Sequence, residues 1–241
     1  WRSDIMHPID LVEEVAIGLG YEDLPRTLPS IQSIGRTTAK ATLDERIRVS
    51  LMGLGCQQVQ SLTLSSENTQ FTNLRWGTRG EVTTIVNPSA THHTILRQRI
   101  LPSLIDLIIA NRHNDLPQRI FEHGSTVVNH RDQRSAAWLC AEPTSGFERS
   151  RGFAQRILSD LGLDCTDVRS VSGGPWLKGR GAVIYIEGQS VIEFGEIDPV
   201  VSASLGIEAP MHGAEINLER IGRLALDPVH QKPILADHDG D

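Results

Sequence analysis

The stretch GAVIYIEGQSVIEFGEI, residues Gly181–Ile197, predicts the type of fold. Apolar and β-branched residues fill both of its halves, and Glu187-Gly188-Gln189 separates them with residues that favour a turn. Two such runs joined by so short a connection predict a β-hairpin. Because the strands of a hairpin are antiparallel, the stretch places this part of the chain in an antiparallel sheet.

The sequence on both sides of this hairpin contains further strands and amphipathic helices. Alternating or apolar runs bounded by turn residues predict strands at Cys56–Ser66, Glu81–Pro88, Gln118–Val128, Ser135–Glu142 and Gly213–Ile221. Helical spacing of apolar residues predicts helices at Asp10–Leu19, Thr42–Leu54, Glu67–Leu74, Leu101–Asn111, Phe147–Leu161 and Pro199–Leu205. Helices that flank a mainly antiparallel sheet define the α+β class.

Composition divides the chain into four parts. The N-terminal helix is followed by a stretch rich in Pro, Ser and Thr with no sustained period, which indicates a linker. The sequence ends with the acidic run ADHDGD. We therefore expect an N-terminal segment at 1–24, a linker at 25–41, a main domain at 42–230 and an acidic tail at 231–241.

The bulk composition excludes some classes of protein. The net charge of −7 argues against a chain that binds nucleic acid over its whole surface. A local basic patch is still compatible with this net charge. Cys56, Cys140 and Cys165 are odd in number and widely spaced, which predicts reduced thiols and a cytoplasmic location. The most apolar run, Ile100–Ala110, is too short to span a bilayer. Trp1 follows no initiator Met, so we expect a fragment of a longer chain.

Six stretches occur in a fixed order and cover nearly all of residues 1–221. They are RSDIMHPIDLVEEVAIGLGY, MGLGCQQVQSLTLSS, IVNPSATHHTILRQRILPSLI, PQRIFEHGSTVV, WLKGRGAVIYIEGQSVIEFGEIDP and GAEINLERI. Together they resemble the C-terminal half of the phenylalanyl-tRNA synthetase β subunit. The run EEVAIGLGY leans towards the archaeal and eukaryotic type of that family.

This resemblance implies both a fold and a role. Residues 1–24 would be the end of a B5 domain, and 42–230 would be a noncatalytic domain with the class II aminoacyl-tRNA synthetase fold. The family assembles as two α and two β chains, and its α subunit binds ATP and charges tRNA-Phe with phenylalanine. The resemblance therefore implies a β-subunit portion that scaffolds the α subunit and helps to hold the tRNA.

Two helix starts carry the S/T/D-x-x-E pattern of a capping box. Asp10 and Glu13 form one such pair, and Thr42 and Glu45 form the other. In this motif the first side chain accepts a backbone N–H of the first turn, and the acidic side chain reaches back to the start of the helix. We therefore expect the first helix to begin at Asp10 and the second at Thr42.

Four carboxylates lie close together near the N-terminus: Asp4, Asp10, Glu13 and Glu14. Capping explains the three acids of the helix, since negative charge suits a helix N-terminus, but it leaves Asp4 without a role. The resemblance implies a magnesium ion shared with the α subunit, and the family's four ligands match these residues in order and spacing. Mg²⁺ prefers oxygen ligands such as these. Capping alone remains the alternative.

The last of the six stretches bears on nucleotide binding. Class II synthetases carry glycines along a strand that precedes a Glu-Arg pair, so that the nucleotide can lie against the backbone. Gly213 and Glu219-Arg220 fit this pattern, but Glu215 and Asn217 occupy positions where it requires glycine. We therefore expect no catalytic residues and no bound ATP in this chain.

The strand Gln118–Val128 carries a further pair that class II enzymes use to hold a phosphate. Arg119 and Glu122 echo that pair, and a salt bridge between them is the simpler interpretation. Either way, a guanidinium and a carboxylate on one strand do not by themselves establish a nucleotide site.

Three other motifs favour structural roles or leave both interpretations open. His92-His93 lacks a nucleophile beside it, which favours a loop or an interface. The glycine-rich run SGGPWLKGRGA does not match a P-loop, and it predicts either a β-turn or, through Lys178 and Arg180, a contact with RNA or a partner. Arg97 and Arg99 are similarly ambiguous.

The helix Thr42–Leu54 offers a candidate interface. Ile47, Leu51 and Leu54 share the face expected to pack on the core. Val49 and Met52 lie off that stripe and are the residues that we expect to meet the α subunit.

Two other functions fit the same sequence. The chain could be a self-sufficient class II ligase, although Glu215 and Asn217 argue against that. It could also be a stand-alone regulatory or binding paralogue, because a fold alone does not fix a function.

Overall fold

The computed structural model describes residues 3–27, 30 and 35–225. The chain forms two compact units, Trp1–Thr37 and Thr38–Asp241, and the division falls within the predicted linker 25–41. The predicted acidic tail 231–241 lies outside the described residues. No helix of the described ranges is long and apolar enough to cross a membrane.

The first unit contains helix α1, Pro8–Leu19. Its N-cap is His7, whose Nδ1 accepts the N–H of Ile9 at 3.2 Å, and the Asp10 carboxylate accepts the N–H groups of Met6 and His7 at 2.8 Å. The predicted capping box of Asp10 and Glu13 is therefore wrong. Pro8 moves the start of the helix two residues earlier, because proline suits the first helical position.

Up to residue 225, the second unit contains five α-helices, one short π-helix at Asn68–Thr72 within the predicted helix Glu67–Leu74, and nine strands. The helices are α2 (Ala39–Gly53), α3 (Leu101–Ala110), α4 (Phe147–Asp160), α5 (Pro199–Ser204) and α6 (Leu218–Ala225). The strands are β1 (Gln57–Gln58), β2 (Leu64–Ser65), β3 (Ile95–Leu96), β4 (Gln118–Val128), β5 (Arg131–Ala141), β6 (Asp167–Ser170), β7 (Trp176–Ile186), β8 (Gln189–Ile197) and β9 (Met211–Asn217).

Seven strands form the main sheet, in the order β1-β4-β5-β9-β8-β7-β6. Every neighbouring pair in it is antiparallel except β1 and β4. The β4–β5 hairpin turns at Asn129 and His130, which both have positive φ, and the β7–β8 hairpin turns at Glu187-Gly188 as predicted. The predicted α+β class with a mainly antiparallel sheet is confirmed.

Four sequence predictions about the second unit are wrong. The predicted strand Gly213–Ile221 ends at Asn217, because Leu218–Ala225 forms α6. Cys56–Ser66 contains only the two-residue strands β1 and β2, and Glu81–Pro88 contains only an isolated bridge at Thr84. Helix α2 begins after Thr38, whose hydroxyl accepts the N–H of Ala41 at 3.2 Å, so Thr42 is not its cap. The strand predictions at Cys56–Ser66 and Glu81–Pro88 failed because strand pairing depends on residues distant in sequence, whereas α2 was predicted as a helix and only its start was misplaced.

Both faces of the sheet are covered. Alternate residues of β5 point to opposite sides: Trp138 packs with α2, α4 and α6, whereas Leu139 packs with α3. We call these the three-helix face and the α3 face. The two apolar cores therefore bury the sheet on both sides.

Candidate functional site

The β9–α6 junction occupies the place where the sequence predicted a lost nucleotide site. The Glu215 carboxylate is buried, and it accepts the N–H of Leu101 at 2.9 Å and that of Ile100 at 3.1 Å. Burial raises the pKa of Glu215, and these backbone hydrogen bonds oppose that rise. Glu215 thus caps the N-terminus of α3 from a neighbouring strand.

Asn217 has a similar structural role at the start of α6. Its Oδ1 accepts the N–H of Arg220 at 3.0 Å, which is the bond that a helix N-cap makes. The Arg220 guanidinium donates to the carbonyl oxygen of Ser190 at 2.7 Å and to the Ser190 hydroxyl. The two residues at the predicted glycine positions therefore both cap helices.

Gly213 is required for packing between β9, β5 and α3. A Cβ at this position would lie 2.6 Å from the carbonyl oxygen of Trp138 and 3.0 Å from Cδ1 of Leu101. No ligand is needed to explain why a larger side chain does not fit here.

Arg119 and Glu122 do not pair with each other. Arg119 donates to Glu142 at 2.8 and 2.9 Å, whereas Glu122 accepts Arg97 at 2.7 Å. The predicted salt bridge between the two is wrong. They lie three apart on β4, so their side chains point to opposite faces of the sheet.

Arg97 and Glu122 form a buried ion pair, with both side chains only 2% exposed. Arg97 also donates to the Ser125 carbonyl oxygen at 3.0 Å and to the Ser61 hydroxyl at 2.8 Å, and that hydroxyl donates to Glu122. The ambiguity over Arg97 is thereby resolved in favour of a structural role.

Glu142 is the centre of a second buried cluster, on the three-helix face. Its carboxylate contacts Arg119, Arg149 at 3.0 Å and His212 Nε2 at 3.2 Å. Burial acts to raise the pKa of Glu142, but the hydrogen bonds from Arg119 and His212 hold it below its usual value. Burial lowers the pKa of His212, and its Nδ1 has no partner among the described residues.

Sequence analysis missed this cluster. Its members come from β4, the end of β5, α4 and β9, so only the tertiary structure brings them together. A polar residue directly after an apolar strand, as at Glu142, was the one available signal.

The four N-terminal carboxylates are not gathered into a metal site. Asp4, Glu13 and Glu14 are exposed, and Asp10 is engaged by the start of α1. In residues 3–27, 30 and 35–225, no group of three or more His, Cys, Asp or Glu side chains is arranged to hold a metal ion. The donor chemistry suits Mg²⁺, and a magnesium site at these four residues stays a prediction.

The predicted interface helix has the expected two faces. Ile47 and Leu51 are fully buried and Leu54 is half-buried, while Val49 and Met52 are 59% and 56% exposed. A cleft of about 610 Å³ lies beside Val49, bordered by Gly53, Leu54, Arg156 and Asp160 among others.

The remaining motifs lie at the surface or in loops. His92 and His93 pack edge to face, with ring centroids 4.3 Å apart, and border a small cavity with Asp106. Lys178 and Arg180 are exposed where an irregularity interrupts the pairing of β7 with β8. A contact with RNA or a partner there stays a prediction. All three cysteines are free, as predicted.

Solved structures with the same architecture define the class of fold. The chain matches two structures of pyrrolysyl-tRNA synthetase from Desulfitobacterium hafniense. The match to one structure has a TM-score of 0.61 at 15% identity and covers 92% of this chain and 81% of that structure's chain. The match to the other has a TM-score of 0.59 at 18% identity and covers 75% of this chain and 66% of that structure's chain. The fold is that of a class II aminoacyl-tRNA synthetase.

Sequence comparison identifies the family. The model of the phenylalanyl tRNA synthetase beta chain CLM domain matches residues 24–218. Phenylalanine–tRNA ligase beta subunits from Methanothrix thermoacetophila and Archaeoglobus fulgidus are 34% and 32% identical, each over 90% of this chain. The chain belongs to the phenylalanyl-tRNA synthetase β-chain family, and these archaeal relatives confirm the predicted archaeal and eukaryotic type. It spans about 40% of the length of these relatives.

Proposed function

We propose that this chain is the portion of a phenylalanine–tRNA ligase β subunit that supports the charging of tRNA-Phe without performing the chemistry. Its relatives carry the name of that ligase subunit. The observation that carries the noncatalytic role is the Glu215 carboxylate, which stands where a nucleotide-binding strand requires glycine and is committed to the N-terminus of α3.

The electrostatics of Glu215 support the same proposal. A carboxylate brought within ~4 Å of a phosphate repels it by ~1–4 kcal/mol at the dielectric constants of water and of a protein surface. The N–H groups of Ile100 and Leu101 fix the side chain in place, so it cannot swing aside without leaving the start of α3 uncapped. ATP would then bind to the α subunit.

The proposed partner is that α subunit, in an α2β2 assembly in the cytoplasm, with tRNA-Phe as the shared substrate. The exposed Val49 and Met52 of α2 are the proposed contact, and Val49 borders the cleft beside that helix. An exposed apolar pair beside a cleft is the kind of surface that a partner covers. The free cysteines are compatible with a reducing compartment.

An exchange assay tests the noncatalytic role. Phenylalanine-dependent ATP–pyrophosphate exchange is measured with this chain alone, with an archaeal α subunit alone and with the two together. We expect no exchange by the chain alone and exchange in the mixture. Exchange by the chain alone would favour the self-sufficient ligase. A chain that neither exchanges nor co-purifies with the α subunit would favour the stand-alone paralogue.

A magnesium ion at Asp4, Asp10, Glu13 and Glu14, shared with the α subunit, remains part of the proposal. The described chain does not gather these side chains by itself. Ligands from the partner, or a rearrangement on assembly, would have to complete the site.

A further inference from the structure

Three guanidinium groups border a cavity of about 340 Å³ on the α3 face of the sheet. Arg79 and Arg99 come from the connection between α2 and α3, and Arg220 comes from the first turn of α6. Val183 and Tyr185 of β7 supply an apolar and aromatic side to the same cavity. The cavity lies at the lower end of the size range of small-molecule sites.

Arg99 is held rigidly beside this cavity. Its guanidinium lies over the ring of Trp76, 4.2 Å from the centroid, and donates to the Gly77 carbonyl oxygen at 2.8 Å. Burial lowers the pKa of Arg99 to about 10, and the nearby Glu215 opposes that change. The group is therefore a desolvated cation at neutral pH, with five N–H donors in a fixed plane.

Two carboxylates on neighbouring strands border the same cavity as the arginines. Glu193 and Glu215 are direct cross-strand partners on β8 and β9. Glu193 Oε1 accepts the indole N–H of Trp176 at 2.7 Å and that of Trp76 at 3.1 Å, while Glu215 accepts the backbone of α3. N–H donors hold both acids in place, and from there both carboxylates oppose the lowering of the Arg99 pKa.

The charges around the cavity therefore do not cancel. Three cations face two carboxylates, and because burial raises the pKa of Glu215, at least one positive charge remains uncompensated. One negative charge on a ligand would balance it. A polyphosphate would bring several negative charges close to Glu193 and Glu215, and the cavity is small for a nucleotide.

We propose that this cavity binds a small organic monoanion, with its carboxylate against Arg99 and Arg79 and its apolar body against Val183 and Tyr185. Planar guanidinium groups suit a carboxylate, since two parallel N–H bonds can reach its two oxygens. This site is separate from the proposed contact with the α subunit and does not depend on the ligase role.

Trp76 provides a built-in probe of the site because it packs against Arg99. Sodium benzoate, a flat aromatic monocarboxylate, is titrated into the full chain, and binding is followed by tryptophan fluorescence and by calorimetry. Inorganic phosphate and ATP are titrated in parallel. The variants are Arg79→Gln and Arg99→Gln, with Arg180→Gln as the control, because Arg180 is exposed and does not border the cavity.

We expect saturable benzoate binding that Arg180→Gln leaves unchanged and that Arg79→Gln weakens at least tenfold. Arg79 is half-buried and donates weakly, at 3.4 Å, to the Gln98 carbonyl oxygen, so its replacement should leave the fold intact by circular dichroism. Failure of benzoate to bind at millimolar concentrations would overturn the proposal. Equal binding by Arg79→Gln and the parent, or tighter binding of phosphate or ATP than of benzoate, would also overturn it.

Discussion

The side chain of Glu215 on β9 accepts the backbone N–H of Leu101 at 2.9 Å and so joins the central sheet to the start of α3. Leu101 lies in the apolar core of the α3 face, so this bond fixes a helix that covers half of the sheet. In the proposed function, the same carboxylate stands where a nucleotide-binding strand would require glycine. One residue thus links the stability of the fold to the proposed loss of catalysis.

Replacement of Glu215 by alanine should destabilise the protein without creating an ATP site. The N–H groups of Ile100 and Leu101 would lose their acceptor, and a lost helix cap costs about 0.5–2 kcal/mol. Urea unfolding measures the change in the free energy of unfolding, with the exposed Glu208→Ala as the control. An unchanged midpoint in Glu215→Ala would contradict the capping role.

The stability of the fold should fall as the pH drops below the ordinary pKa of histidine, about 6.5. Because burial lowers the pKa of His212 in the folded state, the unfolded chain binds the proton more readily in this range, so acid favours unfolding. Arg119 and Arg149 contact Glu142, the carboxylate that His212 also contacts, and their positive charges add to the cost of a charged imidazole.

Urea midpoints at intervals from pH 5 to pH 8 check this expectation. His212→Gln should flatten the slope in that range, whereas the exposed His130→Gln should leave it as in the parent. If the urea midpoint depends on pH equally in the parent and both variants, His212 is not the cause of the acid destabilisation.

The ion pair of Arg97 and Glu122 should be costly to break from one side. Arg97→Met would leave the Glu122 carboxylate buried without its charged partner, and such a change typically costs about 3–5 kcal/mol. The double variant Arg97→Met/Glu122→Leu should lose less than Arg97→Met alone, because no unpaired charge remains. Urea unfolding of the parent, Arg97→Met and the double variant compares their free energies of unfolding. A double variant less stable than Arg97→Met would contradict this prediction.

Substitutions on the two faces of α2 should separate folding from assembly. Leu51→Asp buries a carboxylate in the core and should disrupt both the fold and α-subunit binding. Val49→Asp lies on the exposed face, so it should fold normally yet weaken the association at least tenfold. Circular dichroism and co-purification with the α subunit distinguish the two. Normal assembly by Val49→Asp would place the contact elsewhere.

The magnesium proposal is tested in the assembled enzyme. Asp4→Asn combined with Glu14→Gln should abolish the stabilisation of the α–β complex by magnesium, measured as the shift in melting temperature on adding the ion. Glu22→Gln, an exposed acid in the same unit, is the control. If the double variant responds to magnesium as the parent does, the four acids do not form a shared magnesium site.

The hairpins were predictable because their information is local. Gln118–Val128 was predicted with its observed bounds, and the turn at Glu187-Gly188 has the residue that a positive φ favours. The short β1 and β2 were not predictable in the same way. Their alternation suggested one long strand, but pairing with β4 and β3 decides where each begins and ends.

Local sequence likewise located some of the site residues but did not show what they contact. The family motifs led to Glu215 and Asn217, yet nothing local showed that both residues cap helices. Arg119 and Glu122 are neighbours in sequence, but each finds its partner on another element: Glu142 after β5 for the first and Arg97 before α3 for the second. Such pairings depend on how elements pack, which a single sequence does not specify.

The close approach at Gly213 has a consequence for recognising related proteins. The lack of a side chain there is enforced by the Trp138 carbonyl oxygen and by Leu101, both of which belong to the protein itself. A glycine at this point of the strand is therefore a signature of architecture, and it would persist in a homologue that never binds a nucleotide. A homologue that has this glycine could therefore be classified as an active enzyme when it is a noncatalytic scaffold. The residue at the position of Glu215, two places later, distinguishes the two cases.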